Sequence, residues 1–167
     1  EEYKEIEKYE YEYYTNNTMS GKKETYDGVL QGITTYEYDE LLRLKSTKEE
    51  RDGQAYREIT YSYDDSGNRS QEITTLNGVK TVKDYTYGTG NLLLGYTVTT
   101  DEKKTDEVKY TYDKNGNLTG EYVIFENGKE CEDKDGKGIS EAIYNFLISQ
   151  NIPDKLFDLY DALNKDG

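Results

Sequence analysis

The chain contains no histidine and no tryptophan, and its 167 residues include one cysteine, one proline and one methionine. Without histidine, neither a Ser-His nor a Cys-His nucleophile arrangement can be assembled from this chain. Zinc centres built on cysteine and histidine are excluded with them. Cys131 alone closes no internal disulfide, so cysteine usage does not report the redox compartment. No stretch approaches the roughly 20 apolar residues of a membrane span, and no signal peptide is visible. The chain begins at Glu1 rather than Met, which reads as a trimmed start and leaves room for a removed leader. Aliphatic residues are scarce as well. Hydrophobic residues make up 33% of the chain and much of that share is tyrosine, so a thin layer with amphipathic faces is expected rather than a deep core.

Tyrosine is what the chain has in excess: 19 against 3 phenylalanines. With threonine, valine and isoleucine it favours strands, and together with marked turns this argues against disorder despite a charged fraction of 34%. The formal net charge is -14, which disfavours nucleic acid and anionic membrane surfaces. A soluble, solvated surface accounts for that charge most simply. A basic partner or divalent cations are the alternatives.

An internal repeat organises the middle of the chain. Tyr-x-Tyr pairs begin at Tyr11, Tyr36, Tyr61, Tyr85 and Tyr110, in steps of 25, 25, 24 and 25 residues. Hairpin signals fall at Asp27-Gly28, Asp52-Gly53, Asn77-Gly78 and Asn127-Gly128, and the missing member is Asp101-Glu102, where the glycine is lost. Two independent markers keep one period, which establishes repetition. Each unit reads as strand, loop, strand, turn. The loop after the Tyr pair is rich in Asp, Asn, Ser and Gly, as in Asp64 to Asn68. In the fourth copy, Gly88 to Asn91, it is one residue shorter, which places the deletion in a loop. Gly28, Gly53, Gly67, Gly78, Gly116 and Gly128 are the expected turn glycines.

An odd period flips the Tyr pair to the other face at each repeat unless the loops correct it. A five-residue first loop and a three-residue second loop, with Gly78 as a left-handed bulge residue, keep all pairs on one face. A two-residue turn would break that register. On this reading Leu118, Gly120, Tyr122 and Ile124 share a face with Val108, Tyr110 and Tyr112, and Tyr110 covers Gly120. The expected fold class is mainly β: an antiparallel meander of repeated hairpins, about ten strands, in an open sheet that twists or partly curls. Residues 1–10 form an N-terminal flank, 11–130 the repeat sheet, and 131–167 a linker and helical segment. Ser140 offers an N-cap and Ile143, Phe146 and Leu147 a helical face; Pro153 and the run Leu156 to Leu163 suggest a second. Two short C-terminal helices, about 140–150 and 154–163, are therefore expected. The chain stops at Gly167 as if cut.

The pattern Tyr110-Thr-Tyr-Asp-Lys-Asn-Gly-Asn-Leu118 resembles the YD repeat of the RHS family. Tyr61 to Arg69 matches except for Arg69 in the leucine place, and Tyr36 to Leu44 carries Leu42 in the glycine place. The resemblance covers roughly residues 11–130 in five copies, although the unit here is longer than that family's usual repeat of about twenty residues. It implies a secreted or cell-surface bacterial protein whose repeats build a β scaffold. Large relatives form shells around a toxic C-terminal domain, and others act in adhesion or sugar recognition. The Asp-Pro-x-Gly motif that closes the large shells is absent from this chain, and five repeats are too few to enclose a protein.

Candidate chemistry is sparse. Asp64 and Asp65 are paired carboxylates, but they sit where the turn itself wants aspartate. Asp133 and Asp135, ahead of Gly136, resemble the start of a calcium loop. Lys137 and Tyr144 stand where further acidic ligands would be needed, so a solvated linker is the plainer reading, and no cofactor is otherwise implied. Tyr36, Tyr61, Tyr85 and Tyr110 form a ladder that could stack on sugar rings, or that packs as core. Asn16-Asn-Thr18, Asn68-Arg-Ser70 and Asn117-Leu-Thr119 match the glycosylation triplet but coincide with first loops. The sequence points to a non-catalytic envelope or secreted scaffold for adhesion or display, meeting a protein or glycan partner. A carbohydrate-binding module and a fragment of a toxin-delivery shell are the alternatives. Pairing of exposed edge strands into a dimer is a further expectation.

Overall fold

The structure is a computed structural model that describes residues 6–131. It contains strands β1 (Glu7–Tyr13), β2 (Met19–Tyr26), β3 (Val29–Tyr38), β4 (Leu44–Arg51), β5 (Gln54–Tyr63), β6 (Arg69–Leu76), β7 (Val79–Tyr87), β8 (Leu93–Thr100), β9 (Lys103–Tyr112), β10 (Leu118–Glu126) and β11 (Lys129–Glu130). A 3-10 turn at Thr89–Asn91 is the only helical element among the described residues. The fold class is corrected accordingly. It is a mainly β meander with eleven described strands, and among the described residues no α-helix accompanies them. The expected helices at 140–150 and 154–163, and with them Asp133 and Asp135, lie outside the described residues.

The chain forms two compact units that divide between Lys104 and Thr105. In the first, each strand from β1 to β8 pairs antiparallel with the next in sequence. In the second, β9 pairs with β10 and β10 with β11.

Every first loop has five residues, and the fourth is no exception. The N–H of its first residue donates to the carbonyl of its last: Tyr14 to Thr18, Asp39 to Arg43, Asp64 to Asn68, Gly88 to Leu92 and Asp113 to Asn117, at 2.8 to 2.9 Å. The fourth position is left-handed in each copy: Asn17, Leu42, Gly67, Asn91 and Gly116 all have positive φ. Glycine and asparagine tolerate that conformation, whereas Leu42 holds it at φ 60° against the preference of its side chain. Where the loop starts with aspartate, the carboxylate organises it. Asp64 Oδ1 accepts the backbone N–H groups of Ser66 and Asn68, and Oδ2 accepts the Asn68 amide.

The second turns have two residues, not three. Asp27-Gly28, Asp52-Gly53, Asn77-Gly78 and Asn127-Gly128 carry positive φ at both positions, the mark of a type I′ hairpin. Parity is corrected elsewhere. In β3, Thr25 faces Leu30 and Glu24 faces Gly32, so Gln31 is an extra, bulged residue. Tyr56 is the equivalent in β5, between Ala55 and Arg57. No bulge interrupts the pairing of β6 with β7. The 24-residue step therefore arises from a missing bulge residue in β7, which has 9 residues against 10 in β3 and β5. A bulge adds one residue and bends the strand without moving the next pair to the wrong face. A 25-residue unit with this bulge and a 24-residue unit without it thus present tyrosine on the same side.

A second bulge follows each first loop, at Ser20, Lys45, Ser70, Leu94 and Thr119. The last of these alters the expected register of β10. Gly120 lies opposite Thr111 and Tyr110 opposite Glu121, so Tyr110 does not cover Gly120. Tyr122 does: a Cβ at Gly120 would meet the Tyr122 ring at 2.7 Å.

Among the described residues only Val108 and Ile124 are buried apolar side chains. The described strands of the first unit form a single-layer sheet, held by its ladder and by contacts between neighbouring side chains.

Candidate functional site: an arginine–tyrosine face

Directly opposed residues in a sheet share a face, so the register of the first unit can be followed across it. Tyr11 opposes Lys22, which opposes Thr34, two residues before Tyr36. Tyr36 leads through Thr47 to Ile59, two residues before Tyr61. Tyr61 leads through Glu72 to Lys83, two residues before Tyr85, and Tyr85 opposes Tyr96. Tyr36, Tyr61 and Tyr85 therefore project from one side and are half-buried, while Tyr11 on the first strand is 49% exposed. Tyr110 belongs to the second unit.

The same face carries all four arginines of the chain. Arg43 lies 4.4 Å from the Tyr63 ring centre, Arg51 3.9 Å from Tyr56 and Arg69 4.2 Å from Tyr61. Lys83 sits 3.6 Å above Tyr96 and 5.3 Å from Tyr85. Each stack of this kind contributes about 0.5–1 kcal/mol at a partly exposed site. Arg57 completes the set by its pairing across from Glu49.

Acidic side chains knit these cations together. Glu49 accepts from two guanidiniums at once: Arg51 at 2.7 Å on Oε1 and Arg57 at 3.0 Å on Oε2. The hydrogen bond to Glu49 raises the Arg51 pKa further. Glu72 takes Arg69 at 3.0 Å, and Lys22 pairs with Glu24. Desolvation raises the Tyr61 and Tyr85 hydroxyls above their ordinary value, and the negative charge of Glu72 adds to it. For Arg69, burial opposes the charged form, but a hydrogen bond to Tyr85 and the Glu72 charge outweigh it and raise its pKa. The opposite face is mostly polar, with Ile33, Ile73 and Val82 among its rows. Its rows include Thr35, Lys48, Glu58 and Thr75, with Ser46 buried and donating to Glu37 at 2.9 Å.

The register brings Tyr36, Tyr61 and Tyr85 together as a row, but the rings of Tyr61, Tyr85 and Tyr96 already face cations. A sugar stacking on Tyr61 would have to displace Arg69. Asp64 and Asp65 stay in their loop, where hydrogen bonds from Asn68 and the loop backbone lower the Asp64 pKa. The expected turn glycines all lie at positive φ, between 68° at Gly53 and 86° at Gly67. No group of three or more His, Cys, Asp or Glu side chains that could hold a metal occurs among the described residues. The arginines were not singled out from sequence. Their signal was present, since all four fall between positions 43 and 69 of a chain that otherwise uses lysine.

The first loops form a second feature of the first unit. Odd strands lead into even strands at one margin, so the loops at 14–18, 39–43, 64–68 and 88–92 lie along it in order. They are tied to neighbouring repeats. The Tyr14 hydroxyl donates to the Tyr36 carbonyl at 3.0 Å, Tyr63 to the Leu44 carbonyl at 2.8 Å, and the Asn68 amide to Asn91 Oδ1 at 3.1 Å.

No protein-family model matches the chain, and no curated protein matches it. Among solved structures it is similar to a chain of the Photorhabdus luminescens Tc holotoxin pore carrying the mutation TccC3-D651A. That likeness has a TM-score of 0.49 at 19% sequence identity, and it covers 74% of this chain and 8% of the other. The chain thus spans a small part of that protein's length.

Proposed function

We propose that this protein is a non-catalytic β-repeat scaffold, secreted or held at a bacterial cell surface, that serves adhesion or display. The observation that carries the reading is the row of first loops along one margin, each built on the same five-residue frame and braced to its neighbours. Such a frame holds varied loop side chains at a fixed pitch while the ladder supplies rigidity. Two faces of different character, one cationic and aromatic and one polar, then remain for contact.

The test is protease treatment of intact cells expressing the native gene with an epitope placed in the Asp64–Asn68 loop. Loss of the epitope signal from intact cells, with a cytoplasmic marker preserved, is the expected result. An epitope that survives until the cells are lysed, and that is missing from the medium, overturns the reading.

A further inference from the structure

We infer that the arginine–tyrosine face is a docking surface for an acidic polypeptide segment, one rich in Asp and Glu, supplied by another protein. The argument begins with charge segregation. On a chain of net charge -14, Lys22, Arg43, Arg51, Arg57, Arg69 and Lys83 gather on one face of the first unit. They outnumber the acids set among them, Glu7, Glu24, Glu49 and Glu72, with Asp39 held by Arg43 in the loop. A surface whose local sign opposes that of the whole molecule selects partners by orientation as well as by attraction.

The centre of the surface is the Glu49 cluster. One carboxylate, 14% exposed, neutralises only one of the two guanidiniums that grip it. The Arg51 and Arg57 side chains remain 52% and 48% exposed. Glu49 engages Arg51 through Nε and Nη2 and Arg57 through Nη2, and a guanidinium has five N–H donors, so both half-exposed groups retain donors that Glu49 does not take. Tyr56 beneath Arg51 holds that fork in place. Gly32, opposite Glu24 and next to Arg51, leaves the neighbouring position without a side chain. Preorganised guanidinium forks recognise carboxylates in pairs of parallel hydrogen bonds.

The chemistry favours a polypeptide over a glycan. Guanidinium or ammonium groups cover the ring faces of Tyr56, Tyr61, Tyr63 and Tyr96, so what the surface offers outward is donors rather than aromatic platforms. A second copy of the chain is the competing occupant, and it would show itself as arginine-dependent self-association. This inference names the partner class of the proposed scaffold and rests on that reading. A failure to bind in solution is nonetheless separable from a failure of surface exposure on cells.

The test is titration of the full chain with a fluorescein-labelled oligoglutamate peptide, read by anisotropy at low and raised salt. Binding that weakens with salt, and that is about tenfold or more weaker in Arg51→Gln/Arg57→Gln, is expected. Lys48→Gln, on the polar face, should leave it unchanged. A second readout needs no variant: the chain has only four arginine Nε–H resonances, and those of Arg51 and Arg57 should shift on adding peptide while the spectrum stays dispersed. Equal loss in Lys48→Gln, unmoved arginine resonances, tighter binding of an oligouronate than of the peptide, or arginine-dependent self-association in light scattering would each overturn the inference.

Discussion

Deleting single residues from two equivalent strands should have unequal consequences, because β3 carries a bulge and β7 does not. Removing Gln31, which is exposed and bulged, converts the β2–β3 hairpin to the pairing that β6 and β7 already adopt. Every opposed pair from Glu24–Gly32 onward keeps its partner and its face. The cost should stay within about 1 kcal/mol, the scale of a surface change away from core or network. Removing Thr81 from β7 leaves nothing spare. Either the ladder breaks, or Tyr85 and Tyr87 turn to the polar face. Tyr85 then loses Tyr96, whose ring centre is 6.2 Å away, and the Lys83 cation beside it. Each half-buried tyrosine removes about 75–100 Å² from water, which at 25 cal/mol per Å² is about 2 kcal/mol, so two rings lose about 4 kcal/mol. Urea denaturation reads this directly as a shift in midpoint at constant slope. Equal destabilisation by the two deletions would refute the bulge account of the repeat, as would a Gln31 deletion that abolishes cooperative unfolding.

Further expectations follow from single residues. Glu102 sits at φ 65° where the other second turns have glycine, so Glu102→Gly should stabilise the chain by about 1 kcal/mol, measured by the same denaturation midpoint. The Tyr61 and Tyr85 hydroxyls have raised pKa values, so the fold favours their protonated forms. Their contribution is complete below the ordinary tyrosine value of about 10 and is lost as pH rises through their folded values. An ultraviolet titration should show ionisation above the ordinary tyrosine value that moves down in Glu72→Gln, and a profile unmoved in that variant would contradict this. The Asp64 and Asp113 pKa values are lowered, first by the side chains of Asn68 and Asn117. Their stabilisation is present above the unfolded aspartate value near 4 and is lost as pH falls through the folded values. The double variant Asp64→Asn/Asp113→Asn should therefore flatten the acid limb of a thermal-midpoint profile, and an unchanged limb would place the acid sensitivity elsewhere.

The sequence alone determined whatever depends on a few consecutive residues. The 25-residue period and the Tyr-x-Tyr strands were legible because alternation is a property of one strand. The Asp-Gly and Asn-Gly turns were legible because only a few residue types accept two successive positive φ values. Loop chemistry was legible on the same ground, since an aspartate side chain reaches only its own next few N–H groups. Whatever depends on a neighbouring strand was not. A bulge exists only relative to the partner it fails to pair with, so Gln31, Tyr56 and Thr119 look like ordinary strand residues in the sequence. Misplacing the bulge assigned the 24-residue step to a loop and put Tyr110 over Gly120. The arginine face was hidden for the same reason. Arg43, Arg51, Arg57 and Arg69 stand at different offsets from the tyrosine pairs, and only the inter-strand register, with its bulges counted, turns all four toward the same side.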